Sequence, residues 1–308
     1  MNIKNAIFAL FLSIPFNLPA QQNELQKAPN AEYIIPFLLT GYNNLSVKGV
    51  LNGTDTVALM FHTAAGSMTL TEEAVKRLSS VTFDELTHGV KSWGGQSNDS
   101  RMSKGNALKI GEETWEDLPI WENTNTGQGT DGKFGLGLFE NRVVEIDFEA
   151  QKITVREALP DGIENYEKLA MVFENDNLFV EAACEVEGQI FRNKFLIHSG
   201  YSGAILLDDD FVKENAIDGK LEVIGEKELK DSYGNVLVTK KVTLPTVRIG
   251  EQELINVPAG YFQGAIGRQK MSVIGGDVLK RFNIIIDGQR QFVYLKPNRF
   301  KNDAYSNI

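Results

Sequence analysis

The chain has 308 residues, 42% of them hydrophobic and 23% charged, the balance of an ordinary globular protein and not of a disordered one. That length holds two modest domains, or one domain built from two halves. A net charge of −10, with no basic run or stripe, argues against a nucleic-acid partner and for a soluble chain dispersed by its own like charge.

Residues 1–20 have the layout of a secretory signal peptide. Lys4 precedes an apolar run over 6–14, and the small Ala20 closes Asn17-Leu18-Pro19-Ala20, so cleavage is expected between Ala20 and Gln21. The run is too short for a membrane span, and Pro15 and Pro19 interrupt it. No cysteine stands near the cleavage point to carry a lipid. The mature chain is therefore expected to be exported, to the periplasm or beyond the cell, with no membrane span.

The mature chain reads as mostly β: short alternating or apolar runs separated by Gly, Asn and Asp turns such as Asn52-Gly53-Thr54-Asp55. In the first half the run Val57-Ala58-Leu59-Met60-Phe61 ends in His62-Thr63-Ala64. Thr71 then caps a short helix predicted over 72–78. A turn-rich strand passes through Trp93-Gly94-Gly95, and the half closes with Gly135-Leu136-Gly137-Leu138-Phe139 leading to a strand that ends at Asp147. Leu159-Pro160-Asp161-Gly162 is the natural boundary.

The second half repeats the first. Phe195-Leu196-Ile197 runs into His198-Ser199-Gly200, Asp208-Asp209-Asp210 caps a short helix, Tyr233-Gly234-Asn235 makes a turn, and Gly275-Gly276-Asp277 leads to a strand ending at Asp287. The histidines stand 136 residues apart and the aspartates 140, so two anchors recur at nearly one offset. Cys184, the one cysteine, lies in an alternating strand and is expected to be a small buried hydrophobe and not a nucleophile. The Asp208–Asp210 run is expected to be a solvated cap and not a calcium site.

An apolar strand entering a hydroxyl-small signature, followed by a hydrophobic-Gly element and an aspartate-ended strand, occurs twice. On those residues the chain resembles the retropepsin-like and pepsin-like aspartic proteases from about residue 33 to 297. The resemblance implies an all-β fold of two homologous β-barrel lobes, over 21–160 and 161–300, with a cleft between them and a polar tail over 301–308. It implies that Thr63 and Ser199 tie the two signature loops together across a pseudo-twofold axis. Trp93, Gly94 and Gly95 in one lobe, and Tyr233 and Gly234 in the other, become flap candidates, with plain surface hairpins as the alternative. Two lobes in one chain make a second copy unnecessary, so a monomer is expected.

The departure from the family lies at the two catalytic aspartate positions, which the resemblance places at His62 and His198. Two of the chain's three histidines fall on matched positions of the repeat. A carboxylate dyad that shares one proton is then absent, and with it ordinary acid-protease chemistry. Three readings stay open. The fold is a pseudo-protease binding peptide or another ligand in the cleft, its histidines ligand-facing or mere packing. The imidazoles, with His88 as a third ligand, hold zinc or another transition metal. Or one neutral and one protonated imidazole perform hydrolysis directly.

Overall fold

The computed structural model describes residues 32–91, 97–125, 128–234, 236–262 and 271–306. The leader expected over residues 1–20 therefore lies outside the described residues, as do Trp93, Gly94 and Gly95. In the first half the strands are β1 (Tyr33–Pro36), β2 (Leu38–Leu39), β3 (Leu45–Leu51), β4 (Asp55–Phe61), β5 (Met68–Thr71), β6 (Glu85–Lys91), β7 (Ser97–Ile110), β8 (Glu113–Asn123), β9 (Gly132–Phe134), β10 (Val143–Asp147) and β11 (Lys152–Arg156), with helix α1 (Glu72–Val75) after β5. In the second they are β12 (Glu167–Glu174), β13 (Asn177–Val186), β14 (Gln189–His198), β15 (Ile205–Leu206), β16 (Gly225–Lys230), β17 (Val236–Ile249), β18 (Gln252–Tyr261), β19 (Ser272–Gly275), β20 (Phe282–Ile286) and β21 (Phe292–Pro297), with α2 (Asp209–Glu214) after β15 and α3 (Gly276–Leu279) after β19.

Strands β3 to β11 recur as β13 to β21, pairing for pairing. Antiparallel β3–β4 and β3–β7 match β13–β14 and β13–β17, and each set closes one barrel-like lobe. Parallel β4–β9 and β5–β8 match β14–β19 and β15–β18. The fold is all-β with two equivalent lobes. Along β3 the burial alternates, as a strand with one face on a core requires. β14 alternates in its outer half and becomes continuously buried at Phe195-Leu196-Ile197, where it dives between neighbours toward the molecular centre.

The lobes share one sheet. Strands β1, β11, β10, β20, β21 and β12 lie side by side in a palindromic order. At its centre β10 and β20 pair antiparallel with Val144 opposite Ile286, Glu145 opposite Ile285 and Ile146 opposite Ile284. Glu145 and Ile285 are 140 residues apart, the offset of the closing elements, so the pseudo-twofold axis passes through that pair. This is the isologous contact of a C2 dimer written into one chain. The main apolar core runs from Ile35 to Leu295 through both lobes, with two smaller clusters beside it.

Both short helices are capped as expected. Thr71 Oγ1 accepts from the Ala74 N–H at 3.0 Å, although regular helix ends at Val75 and only looser turns continue to Leu78. Asp208 accepts from the Phe211 N–H at 2.7 Å. It is buried and also bonded by Ser272 and Asn193, so it is an interior brace and not a solvated cap. The C-terminal residues are likewise no free tail. The buried Arg281 guanidinium donates to the carbonyls of Phe300, Lys301 and Asp303 and lies 3.8 Å from the centre of the Tyr305 ring. Ser306 N–H donates to Asp277 at 2.7 Å, which docks 301–306 on the second lobe. Among the described residues no helix is long and apolar enough to cross a membrane.

The glycines of the closing elements are fixed by contact. A methyl group on Gly135 would overlap the Ala65 carbonyl oxygen, and one on Gly275 would overlap that of Gly203 and lie 2.7 Å from that of Tyr201. Each strand thus presses directly on the loop that follows a histidine. Gly275→Ala is expected to cost more than about 3 kcal/mol in urea unfolding, since backbone must move. Gly41→Ala, with nothing within 4 Å, is expected to stay within about 0.5 kcal/mol.

Candidate functional site

Strands β4 and β14 both run to the axis and stop there. Each ends in a tight turn of the same form: Ala65 N–H donates to the His62 carbonyl and Tyr201 N–H to the His198 carbonyl, both at 3.1 Å. The next residue in each loop carries a hydroxyl, and the two hydroxyls cross the axis. Thr63 N–H donates to Ser199 Oγ and Ser199 N–H to Thr63 Oγ1, both at 3.0 Å. Thr63 Oγ1–H then donates to the Ile197 carbonyl at 2.6 Å, and Ser199 Oγ–H to the Phe61 carbonyl at 2.8 Å. Both side chains are buried. Four reciprocal bonds in a dry interior fix the loops against each other, and each is worth about 1 kcal/mol net.

The lattice brings His62 and His198 together, with ring centres 4.5 Å apart and planes inclined at 57°. His62 is buried and packs on Gly200, where any Cβ would overlap its ring. Its Nδ1 accepts the Ala64 N–H at 3.1 Å, which places the ring proton on Nε2. Burial, the neighbouring His198 and the Lys133 ammonium hold its pKa well below the ordinary imidazole value. His198 is half-buried, but its Nδ1 is shut off from solvent with no hydrogen-bond partner among the described residues. Burial first, then Lys133, push its pKa down to about 4. Both rings are neutral at pH 7.

Lys133 is a side chain near the axis that no motif announces. It sits on β9 directly opposite Met60 of β4, one residue before Phe134, whose carbonyl accepts the His62 N–H at 2.9 Å. Desolvation lowers its pKa to about 8. The repeat itself held the signal: by the 140-residue offset Lys133 corresponds to Val273, which faces Leu196 in the other lobe. A cation in one half at a position that is apolar in the other is an asymmetry at the axis.

Tyr233 and Gly234 lie in the turn between β16 and β17, with Gly234 at φ 81°. The turn is seated against the first lobe. Asn125 N–H donates to the Ser232 carbonyl at 3.0 Å, and Lys133 Nζ reaches Ser232 Oγ at 3.4 Å. The structure does not bring His88 to the pair. It stands exposed on β6 and bonds Asp99 at 3.0 Å across to β7. Among the described residues no three His, Cys, Asp or Glu side chains are placed to hold a metal. The expectation of a three-histidine metal site therefore fails on its third ligand, and the Lys133 ammonium beside the pair further disfavours a cation. Cys184 is fully buried, with its thiol pushed up to about 12 by desolvation.

The chain has the two-lobed aspartic-proteinase fold. It is similar to the crystal structure of the aspartic proteinase from Irpex lacteus, with a TM-score of 0.60 over 90% of this chain and 100% of that one. Sequence identity is 10%, so the likeness extends to the fold alone. No protein-family model and no curated relative matches the sequence.

The depressed histidines set a pH dependence. In the unfolded chain His198 titrates near 6.5 and in the folded chain near 4, so between those values the unfolded state binds the extra proton. Stability from this residue is complete above pH 6.5 and is lost as pH falls toward 4, by about 3 kcal/mol at most. Urea midpoints are expected to drop from about pH 7 to about pH 4.5 in the wild type and to drop less in His198→Asn.

Proposed function

We propose that this chain is an exported binding protein built on an aspartic-proteinase fold, a pseudo-protease that accepts a peptide in the cleft between its lobes. In this reading His62 and His198 occupy the positions of the two catalytic aspartates. The observation that carries it is the geometry of the axis: two imidazoles with ring centres 4.5 Å apart, one already engaged by its own backbone, with Lys133 on the neighbouring strand. A proton shared between two acids requires groups that exchange it near the working pH. These rings do not, since His62 loses its Ala64 bond on protonation and Lys133 repels a second positive charge. The Thr63–Ser199 lattice supports a retained cleft, because it holds the loops without help from any titrating group.

One observation favours a second reading, metal-free hydrolysis by the pair. His198 Nδ1, without a hydrogen-bond partner among the described residues, is a free base of the right kind to take a proton from a water that the opened cleft admits. Mass spectrometry of a diverse peptide library incubated with the mature protein from pH 4 to 8, with and without chelator, separates the two. No cleavage is expected under any condition. Cleavage that vanishes in His62→Ala/His198→Ala would overturn the binding reading, and loss of it with chelator would restore the metal.

Export rests on the residues before Gln21. Protein recovered from outside the cytoplasm is expected to begin at Gln21 by intact mass, and a chain that keeps residues 1–20 there contradicts it. Two lobes that already share the β10–β20 contact support a monomer in solution.

A further inference from the structure

We infer that the inter-lobe site takes a carboxylate of its peptide ligand, bound to the Lys133 ammonium beside the His198 ring and under the Ser232 turn. The inference rests on the binding reading above and names the chemical group that the site selects.

Among the described residues Lys133 has one polar contact, Ser232 Oγ at 3.4 Å, a long bond for a charged donor. It forms no ion pair among the described residues, although the chain carries 41 acidic residues against 31 basic ones. Other cations in the same fold do find acids: Arg101 meets Glu122, Arg156 meets Glu145 and Lys194 meets Glu174. Asp231, one residue from Ser232, turns its Oδ1 to the Tyr233 N–H at 2.9 Å. A partly buried ammonium with no counter-charge among the described residues gives up hydration that an arriving anion compensates. The lowered pKa of about 8 is the same cost seen from the proton, and it leaves Lys133 charged at pH 7.

A second unmet group stands nearby. His198 Nδ1 is buried and unbonded among the described residues, and a neutral ring can carry its proton there and donate. Beside it stand the Lys133 ammonium and the Ser232 hydroxyl, which accepts from Lys133 and still has its own proton to give. A carboxylate is the complement, having two oxygens and no proton to give. A metal ion meets the ammonium's repulsion, and a neutral carbonyl leaves the ammonium uncompensated. The net charge of −10 works against any anion at long range. A preference for carboxylate over amide must therefore arise at the site.

The test is fluorescence anisotropy of the mature chain with pools of short random peptides at low salt. One arm compares a fixed internal Glu with Gln, the other a free C-terminal acid with its amide, which separates the two sources of a carboxylate. The acid form is expected to bind about tenfold tighter in at least one arm. Lys133→Met is expected to erase that preference and Lys133→Arg to keep most of it, with both variants folded by circular dichroism. Equal binding of acid and amide in both arms would overturn the carboxylate and leave the binding reading intact. Binding of no pool would overturn both.

Discussion

The four hydrogen bonds between Thr63, Ser199 and the strand ends of Phe61 and Ile197 decide where everything else at the axis lies. Each hydroxyl accepts from the opposite loop's N–H and donates to the opposite strand's carbonyl, so neither loop is complete without the other. Removing either hydroxyl leaves a buried N–H and a buried carbonyl unpaired, at a cost of about 1–3 kcal/mol for each such group. Because the lattice uses no ionisable atom, it is insensitive to what stands one residue before each hydroxyl. That independence lets a pair of imidazoles occupy the axis without loss of the fold.

The lobes are then braced from both sides. In the β2–β3 turn Asn43 donates to the Ser202 carbonyl at 2.8 Å, reaching from the first lobe into the second signature loop. The matching turn between β12 and β13 brings Asp176 against Gly66, where a Cβ would lie 3.2 Å from its carboxylate. Symmetric braces hold a site that is itself asymmetric. His62 is locked by Ala64 and Gly200 while His198 keeps an unmet nitrogen, and Lys133 enters from the first lobe only. Function is most economically sought in that asymmetry, since a symmetric scaffold does not require it.

The fold was legible because the sequence states it twice. The His-hydroxyl-small signature and the closing glycines recur at matched offsets, and the structure places them at the ends of β4 and β14 and at the ends of β9 and β19. Thr71 and Asp208 announced their helices by residue type. Lys133 was less visible because it reaches the histidines through parallel pairing of β9 with β4, a contact between segments some seventy residues apart that no local pattern encodes. The seat of the Ser232 turn on Asn125 is of the same kind, lobe on lobe. His88 misled through scarcity: with three histidines in the chain a trio is easily imagined, yet β6 carries this one to the surface. The residues at 301–306 read as polar tail because their partner, a buried arginine, is unusual enough that composition gives no hint of it.

Everything proposed for the axis turns on the protonation state of the pair, and imidazole-labelled nitrogen NMR of the mature chain reports it directly. At pH 6 both His62 and His198 should show neutral rings, with the His62 proton on Nε2 and no titration of either until well below the ordinary histidine range. An imidazolium signal from either residue at pH 6, or a proton exchanging between them, would contradict it.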